Sequence, residues 1–96
     1  MARVVVAATA VEDLERIIAS RTLPPNARSR VRASLEPLAE FPLLGVALSG
    51  RWDGFRFLLG PWSWLLLVYV FDEEADQVIV VTVQDARTAR AVTSQQ

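Results

Sequence analysis

The stretch WLLLVYVFDEEADQVIVVTV, residues 64–83, decides how this chain folds. Two runs rich in β-branched, aromatic and leucine residues flank the acidic segment DEEAD, which has the length of a hairpin loop. The stretch therefore predicts two antiparallel strands, 63–71 and 77–83, joined by this polar loop.

Both faces of the predicted hairpin are apolar. Alternate residues of a strand face opposite sides of a sheet, so Trp64, Leu66 and Val68 are expected on one face. In the second strand, Val80 and Thr82 are expected to share a face. Two apolar faces are typical of a sheet that is covered on both sides.

The residues before the hairpin predict a further strand and two helices. Valine-rich residues 3–8 favour a strand. Thr9, followed three residues later by Glu12, has the pattern of a capping box and predicts a helix start. Asn26 predicts the N-cap of a second amphipathic helix. Pro37 lies within that helical pattern, so the helix should kink there or restart.

A short strand at 55–59 completes the order strand, helix, helix and three strands. This order predicts an α+β fold, β-α-α-β-β-β, with a two-helix hairpin packed on one face of a mainly antiparallel four-stranded sheet. The chain, residues 1–96, has the size of a single domain. Because two helices can cover only one face, an apolar area should remain on the other and bind a partner protein or a second copy.

The composition limits the chemistry that is available. The sequence has neither cysteine nor histidine, which excludes disulfides, thiolate catalysis and the commonest general base. Its ten arginines oppose eleven carboxylates, so the net charge of −1 gives no general attraction to polyphosphates. The consecutive acids of the hairpin loop are typical of a solvated turn, so neither a metal nor another cofactor is expected.

No membrane span is expected, because the longest apolar run, residues 64–71, is far shorter than the roughly 20 residues of a spanning helix. The N-terminal apolar run meets acidic residues before any cleavage site, and we interpret it as a strand rather than a signal peptide. A cytoplasmic protein is therefore expected.

Several arginines are candidates for a functional site. The Arg56 guanidinium can bind a phosphate or carboxylate bidentately, although a charge on an edge strand also deters aggregation. Arg87 and Arg90 lie three residues apart and would share one side of a short helix, or would simply be solvated. Asp85 would either act as a base or form a local ion pair with Arg87.

Tryptophan is enriched at the hot spots of interfaces, and all three tryptophans, Trp52, Trp62 and Trp64, lie before or within the hairpin. They are therefore candidates for partner contact. The alternative is that all three belong to the core.

The segments AVEDLERI (10–17), LEPLAEFPLLGVALSGRWDGFRFLLG (35–60) and LLLVYVFDEEADQVIVVTVQDAR (65–87) follow one another in an order that resembles the RelE/ParE superfamily of bacterial type II toxins. The similarity covers almost the whole chain. In this comparison Arg56 stands at the position of a strand arginine of the family, and Arg87 at the arginine that follows the final strand.

The resemblance implies the toxin of a type II toxin–antitoxin pair, neutralised by a cognate antitoxin and acting on mRNA at the ribosome or on DNA gyrase. It makes Arg56 and Arg87 the candidate catalytic residues. Contacts with the target or partner are expected at Arg51, Trp52, Trp64, Asp85 and Arg90.

Ribonuclease members of the superfamily typically use a second strand arginine, a histidine or other acid/base group, and a C-terminal tyrosine. Here Ala86 precedes Arg87 where histidine would stand, and no tyrosine follows. A RelE-like ribosome-dependent mRNA endoribonuclease is the expected class if the chain is an enzyme. The alternatives are a ParE-like protein that acts on gyrase and a non-toxic homodimeric or protein-binding module, a degenerate toxin, that uses the same apolar sheet face.

Overall fold

A mixed five-stranded sheet with two helices forms the fold in the computed structural model, which describes residues 1–88 and 91–95. The strands are β1 (Arg3–Val6), β2 (Val46–Ala47), β3 (Arg56–Leu59), β4 (Leu65–Asp72) and β5 (Gln77–Asp85), and the helices are α1 (Ala8–Arg21) and α2 (Ala27–Leu35). The strand order is β1-β5-β4-β3-β2. β1 runs parallel to β5, and the other neighbours are antiparallel.

This architecture confirms the predicted α+β fold and the order strand, helix, helix and three strands. The sheet has five strands rather than four because Val46 and Ala47 pair with Phe57 and Arg56 at its edge. A two-residue strand leaves no periodic pattern in the sequence, which is why it escaped prediction.

The predicted hairpin, now β4 and β5, forms the centre of the sheet. Leu65, Leu67 and Tyr69 pack against the helices together with Val78 and Val80. These strands lie between β1 on one side and β3 on the other, so both of their edges are hydrogen-bonded over much of their length. The two apolar runs of the sequence therefore supply the middle of the core.

The second face of the sheet is covered at its centre, so the expectation that this face stays open is wrong. Leu66 and Val68 are almost fully buried. They pack against Leu48 and against Ala91 and Val92 of the C-terminal segment. The loop before β3 and the C-terminal segment thus cover a face that the helices do not reach.

The predicted alternation along β5 is interrupted by a bulge. Val68 pairs with Thr82 while the next residue, Tyr69, pairs with Val80, so Val81 is the extra residue. Beyond this bulge Val83 faces the helices, as Val80 does, and Thr82 does not share the face of Val80. The predicted face of Thr82 was therefore wrong.

Helix α1 begins one residue before the predicted cap. Ala7 occupies the N-cap position, and the Thr9 hydroxyl instead donates a hydrogen bond to the carbonyl of Val81 at 2.8 Å. Further along α1, Asp13 Oδ2 accepts hydrogen bonds from the Thr82 hydroxyl at 2.6 Å and from the Val83 amide at 3.3 Å. Because β1 ends before this part of β5, α1 satisfies the strand edge that β1 leaves unpaired.

Helix α2 ends where its proline was expected to disturb it. Asn26 occupies the N-cap position, as predicted, although its side chain makes no capping hydrogen bond. After Leu35 the chain restarts as a 3₁₀ helix, Glu36–Ala39, with Pro37 in its first turn. The missing amide of proline costs nothing there, because amides in a first turn lack helical partners.

No helix within the described residues is long and apolar enough to cross a membrane.

Candidate functional site

A group of arginine and tryptophan side chains lies where the ends of β5, α1 and the β3–β4 loop meet. Trp62 and Trp64 stack with their ring centroids 6.0 Å apart and their planes at 21°. The guanidinium carbons of Arg30 and Arg87 lie over Trp62 and Trp64, 4.7 Å and 4.5 Å from the ring centroids. Arg21 lies 5.5 Å from the Trp64 centroid. We call these five side chains the arginine–tryptophan cluster.

Four parts of the fold position the five members of the cluster. Arg21 is the last residue of α1 and Arg30 lies within α2. The loop that carries the tryptophans is held by a hydrogen bond from the Ala86 amide to the Trp64 carbonyl, at 2.7 Å. This bond places the residues that follow β5 beside the indole rings.

Asp85 joins two of these arginines beneath the cluster. The carboxylate is only 8% exposed and forms ion pairs with Arg21 and Arg87. It accepts hydrogen bonds from Arg87 Nε at 3.0 Å, from Nη2 at 3.1 Å and from the Arg87 amide at 2.9 Å. The end of α1 is thereby tied to the end of β5.

The same contacts keep Asp85 ionised. Hydrogen bonds from the Arg87 side chain have the largest effect on its pKa, burial opposes them, and the Arg87 amide and Arg21 add to them, so the pKa is lowered to about 2. A carboxylate with so low a pKa is a weak base near neutral pH. The arrangement therefore supports the ion-pair interpretation of Asp85 over the general base.

Arg56 lies elsewhere, beside the loop that leads into β2. Its Nη1 donates hydrogen bonds to the carbonyls of Gly45 at 2.9 Å and Leu43 at 3.3 Å. Across the strand pair, the Tyr69 hydroxyl accepts a hydrogen bond from the Gly45 amide at 2.8 Å. Burial raises the pKa of Tyr69, which keeps the hydroxyl protonated. We call Arg56, Tyr69 and Gly45 the loop brace.

The structure does not bring Arg56 and Arg87 together. Arg56 pairs with Tyr69, whereas Asp85, two residues before Arg87, pairs with Leu65. Four residues along β4 and two strand spacings across the sheet separate these positions by roughly 16 Å. The two candidate catalytic arginines therefore belong to different regions of the molecule.

Arg51 and Trp52 lie in a 3₁₀ turn, Gly50–Trp52, that packs on the face opposite the helices. The Trp52 ring meets Phe55 edge to face, with centroids 5.4 Å apart, while Arg51 is exposed. Arg90 lies outside the described residues. Of the expected contact residues, the structure thus places Trp64 and Asp85 next to Arg87.

Two members of the cluster, Arg21 and Arg30, were missed by sequence reasoning. The alternation of Arg28, Arg30 and Arg32 spreads these residues around α2, which argues against a basic stripe. The same spread leaves Arg30 alone to face Trp62, while Arg28 pairs with Glu15 on α1. No local sequence pattern predicts the contact between Arg30 and Trp62, because only the fold brings these residues together.

An exposed apolar segment was also missed. Four large side chains in the loop and strand that follow the 3₁₀ helix are each more than half exposed. They are Phe41, Leu43, Leu44 and Val46, and we call them the apolar rim. The loop brace fixes the backbone of this segment at Leu43 and Gly45, so the rim is held on the surface.

Acidic side chains do not converge on a metal site in the described part of the chain. Within residues 1–88 and 91–95, no group of three or more possible ligand side chains is close enough to hold an ion.

Comparisons with known proteins bear on the fold. No family model matches the chain, and no curated protein matches it significantly in sequence. Among solved structures, a chain of the RelBE2 toxin–antitoxin complex of Mycobacterium tuberculosis matches with a TM-score of 0.66 and 24% identity, over 88% of this chain and 96% of that one.

Two further complexes are similar over comparable lengths. A chain of the E. coli RelBE toxin–antitoxin complex matches with a TM-score of 0.67 and 18% identity, over 92% of this chain and 100% of that one. A chain of the ParDE system of P. aeruginosa matches with a TM-score of 0.71 and 13% identity, over 91% and 98%. Isolated E. coli RelE toxin has a TM-score of 0.66 and 19% identity, over 99% and 94%. This chain therefore has the fold of the RelE/ParE toxins.

Proposed function

We propose that this chain is the toxin of a type II toxin–antitoxin pair, acting in the cytoplasm and neutralised by a cognate antitoxin protein. The observation that carries the proposal is the shared fold, which extends over 88% of this chain and 96% of a chain of the RelBE2 toxin–antitoxin complex. A match over nearly the whole of both chains favours a shared role over a partial similarity.

The apolar rim supports an interaction with an antitoxin. Exposed apolar residues that lie together often mark a protein interface. Here the arginine and the buried tyrosine hydroxyl of the loop brace form hydrogen bonds that hold the rim in place. A rim fixed in this way would lose little conformational entropy when a partner binds it.

Of the two candidate targets, DNA gyrase is better supported than mRNA. Cleavage of RNA calls for a positioned acid or base, but Asp85 has its pKa lowered to about 2, and Arg56 is bound to backbone carbonyls. The net charge of −1 also gives little attraction to RNA phosphates. Inhibition of gyrase by binding alone has no chemical step, so it requires neither a catalytic acid or base nor an attraction to RNA phosphates.

A second candidate function is a non-toxic binding module. It is favoured by the internal bonds of both candidate catalytic arginines, since Arg56 is held by carbonyls and Arg87 by Asp85. In this function the fold would keep partner binding and have no toxic target.

Inducible expression of the chain in a bacterial host, alone and together with the neighbouring reading frame, tests the proposal. We expect growth arrest with the chain alone and rescue by its neighbour. Supercoiling by purified gyrase and translation by purified ribosomes would then be assayed with the purified chain, and we expect the gyrase reaction to be inhibited. Normal growth with well-expressed, folded protein would favour the binding module.

The rim is tested with a matched pair of substitutions. Leu44 in the rim and Leu59 at the end of β3 are similarly exposed, at 54% and 52%. We expect Leu44→Asp to weaken binding of the antitoxin by at least about tenfold, while Leu59→Asp leaves it unchanged. Equal losses in the two variants would exclude the rim as the docking surface.

A further inference from the structure

We propose that the arginine–tryptophan cluster is a docking site for an acidic segment of a partner protein. This proposal concerns a surface distinct from the apolar rim and does not depend on the toxin function. It follows from the charge of the cluster, from the way its arginines are held and from the contacts that its rings already make.

The charge of the cluster is opposite to that of the whole chain. Arg21, Arg30 and Arg87 contribute three positive charges and Asp85 one negative charge, which leaves a local charge of +2 (3 − 1) in a chain of net charge −1. Within the described residues, Arg30 makes no ion pair. The cluster therefore attracts carboxylates, and Arg30 offers them an unneutralised guanidinium.

Stacking prepares these arginines for binding. The Arg30 and Arg87 side chains lie over indole rings, and the side chains of Arg21 and Arg87 remain 41% and 50% exposed. A guanidinium that lies over a ring has the donors at its edge pointing away from that ring. The donors of Arg30 form no ion pair within the described residues, whereas Arg87 already donates from Nε and Nη2 to Asp85. Because the side chains are already ordered, pairing with a carboxylate costs less entropy than at a free surface arginine.

The residue types and their contacts favour a protein over a nucleic acid. Single-stranded nucleic acids stack their bases on aromatic faces, but each indole here already has a ring partner and a guanidinium within 6.0 Å. Tryptophan and arginine are the side chains most enriched at protein interface hot spots. Asp85, bound by Arg21 and Arg87 together, illustrates how a carboxylate fits these donors.

The experiment measures binding of two dye-labelled probes to the whole chain by fluorescence anisotropy at low salt. One probe is a poly-glutamate peptide, and the other is an oligouridylate with the same number of charges. We expect the chain to bind the poly-glutamate probe more tightly than the oligouridylate. Tighter binding of the oligouridylate, lost in the variants below, would overturn the proposal in favour of a nucleic-acid site.

Two variants of the cluster and one matched control locate the binding. Arg30→Gln removes the unpaired guanidinium and is expected to weaken poly-glutamate binding by about threefold to fivefold. Trp62→Leu keeps every charge but removes the stacking surface, and is expected to weaken binding by about fivefold. Arg32→Gln makes the same charge change on α2, roughly 200° around the helix from Arg30, and should leave binding unchanged.

Thermal unfolding of each variant establishes that it is folded at the temperature of the binding assay. A similar loss in Arg30→Gln and Arg32→Gln would mean that only overall charge matters, and would overturn the proposal. So would the absence of poly-glutamate binding to the unsubstituted chain.

Discussion

The arginine–tryptophan cluster and the loop brace each contain an arginine that the sequence marks as a candidate, yet they use it in opposite ways. Arg87 lies over an indole ring and pairs with a buried carboxylate, and its side chain remains half exposed. Arg56 directs its donors inward, to the carbonyls of a loop. The side chain beside the indole ring keeps half of its surface exposed, whereas the one bound to loop carbonyls stabilises the backbone.

We therefore expect substitutions in the loop brace to lower the free energy of unfolding more than substitutions in the cluster. A Cβ atom added at Gly45 would lie 2.7 Å from the Phe57 carbonyl oxygen and 2.7 Å from Cε1 of Tyr69. We expect Gly45→Ala to lower the free energy of unfolding by about 2–3 kcal/mol, measured by urea denaturation, because a backbone atom cannot move aside.

Gly60→Ala is the matched control for this substitution. The nearest atom to its added Cβ would be Cδ2 of Leu65 at 3.1 Å, the far end of a flexible side chain. We expect a loss below about 1 kcal/mol. Equal losses at the two glycines would mean that the brace tolerates displacement and is not a rigid support for the rim.

The stability that the ion pairs of Asp85 give to the fold is expected to depend on pH. The pKa of this residue is about 2 in the folded chain and near 3.8 without its partners, so its ion pairs stabilise the fold above pH 4 and lose this effect as the pH falls from about 4 to 2. Asp85→Asn should lower the free energy of unfolding at pH 7 by about 1–2 kcal/mol, since solvent screens the half-exposed arginines.

Urea denaturation of both proteins across this pH range provides the measurement. The difference between the chain and Asp85→Asn should shrink as the pH falls. The control is Asp53→Asn, which removes an exposed carboxylate from the loop before β3. A difference that stays constant down to pH 2 would contradict the assigned ion pairs.

The smallest expected effect separates the two arginines directly. Arg56→Ala removes two hydrogen bonds to backbone carbonyls and should lower the free energy of unfolding by about 1 kcal/mol. It should leave the affinity for poly-glutamate unchanged, because the loop brace lies far from the cluster. Arg87→Ala should reduce that affinity. If Arg56→Ala weakens probe binding as much as Arg87→Ala, the two regions are not independent.

Local patterns were enough to predict the main elements. The runs rich in β-branched, aromatic and leucine residues on either side of residues 72–76 predict the central hairpin, and the helical spacing after residue 8 predicts α1. Pro37 was expected to kink the helix or to mark a restart, and the chain restarts there as a 3₁₀ helix. These features depend on neighbours within a few residues, which is the range over which a sequence pattern carries information.

Features that depend on distant partners escaped prediction. Thr9 is a residue type that is favoured at a helix cap, but its hydroxyl donates a hydrogen bond to a carbonyl of β5, 72 residues away. The bulge at Val81 reverses the facing of the residues after it, and nothing in the run QVIVVTV indicates where it falls. The cluster likewise requires Arg21, Arg30 and Trp62 to meet across three separate elements.

The covering of the second sheet face has the same origin. Leu48 lies in the loop between β2 and β3 and Val92 follows β5, yet both pack against Leu66 and Val68. From the sequence we expected cover from the two helices and little from the short C-terminal tail. Short irregular segments can bury a sheet face without any periodic signal, and an estimate based on helices alone overstates what remains open.

The position of β1 affects how the chain folds during its synthesis. Arg3 pairs with Gln77 of β5, so β1 has no neighbour until the residues through β5 have left the ribosome. Closing so long a loop is slow compared with forming the β4–β5 hairpin. The sheet of the nascent chain therefore remains incomplete until β5 emerges.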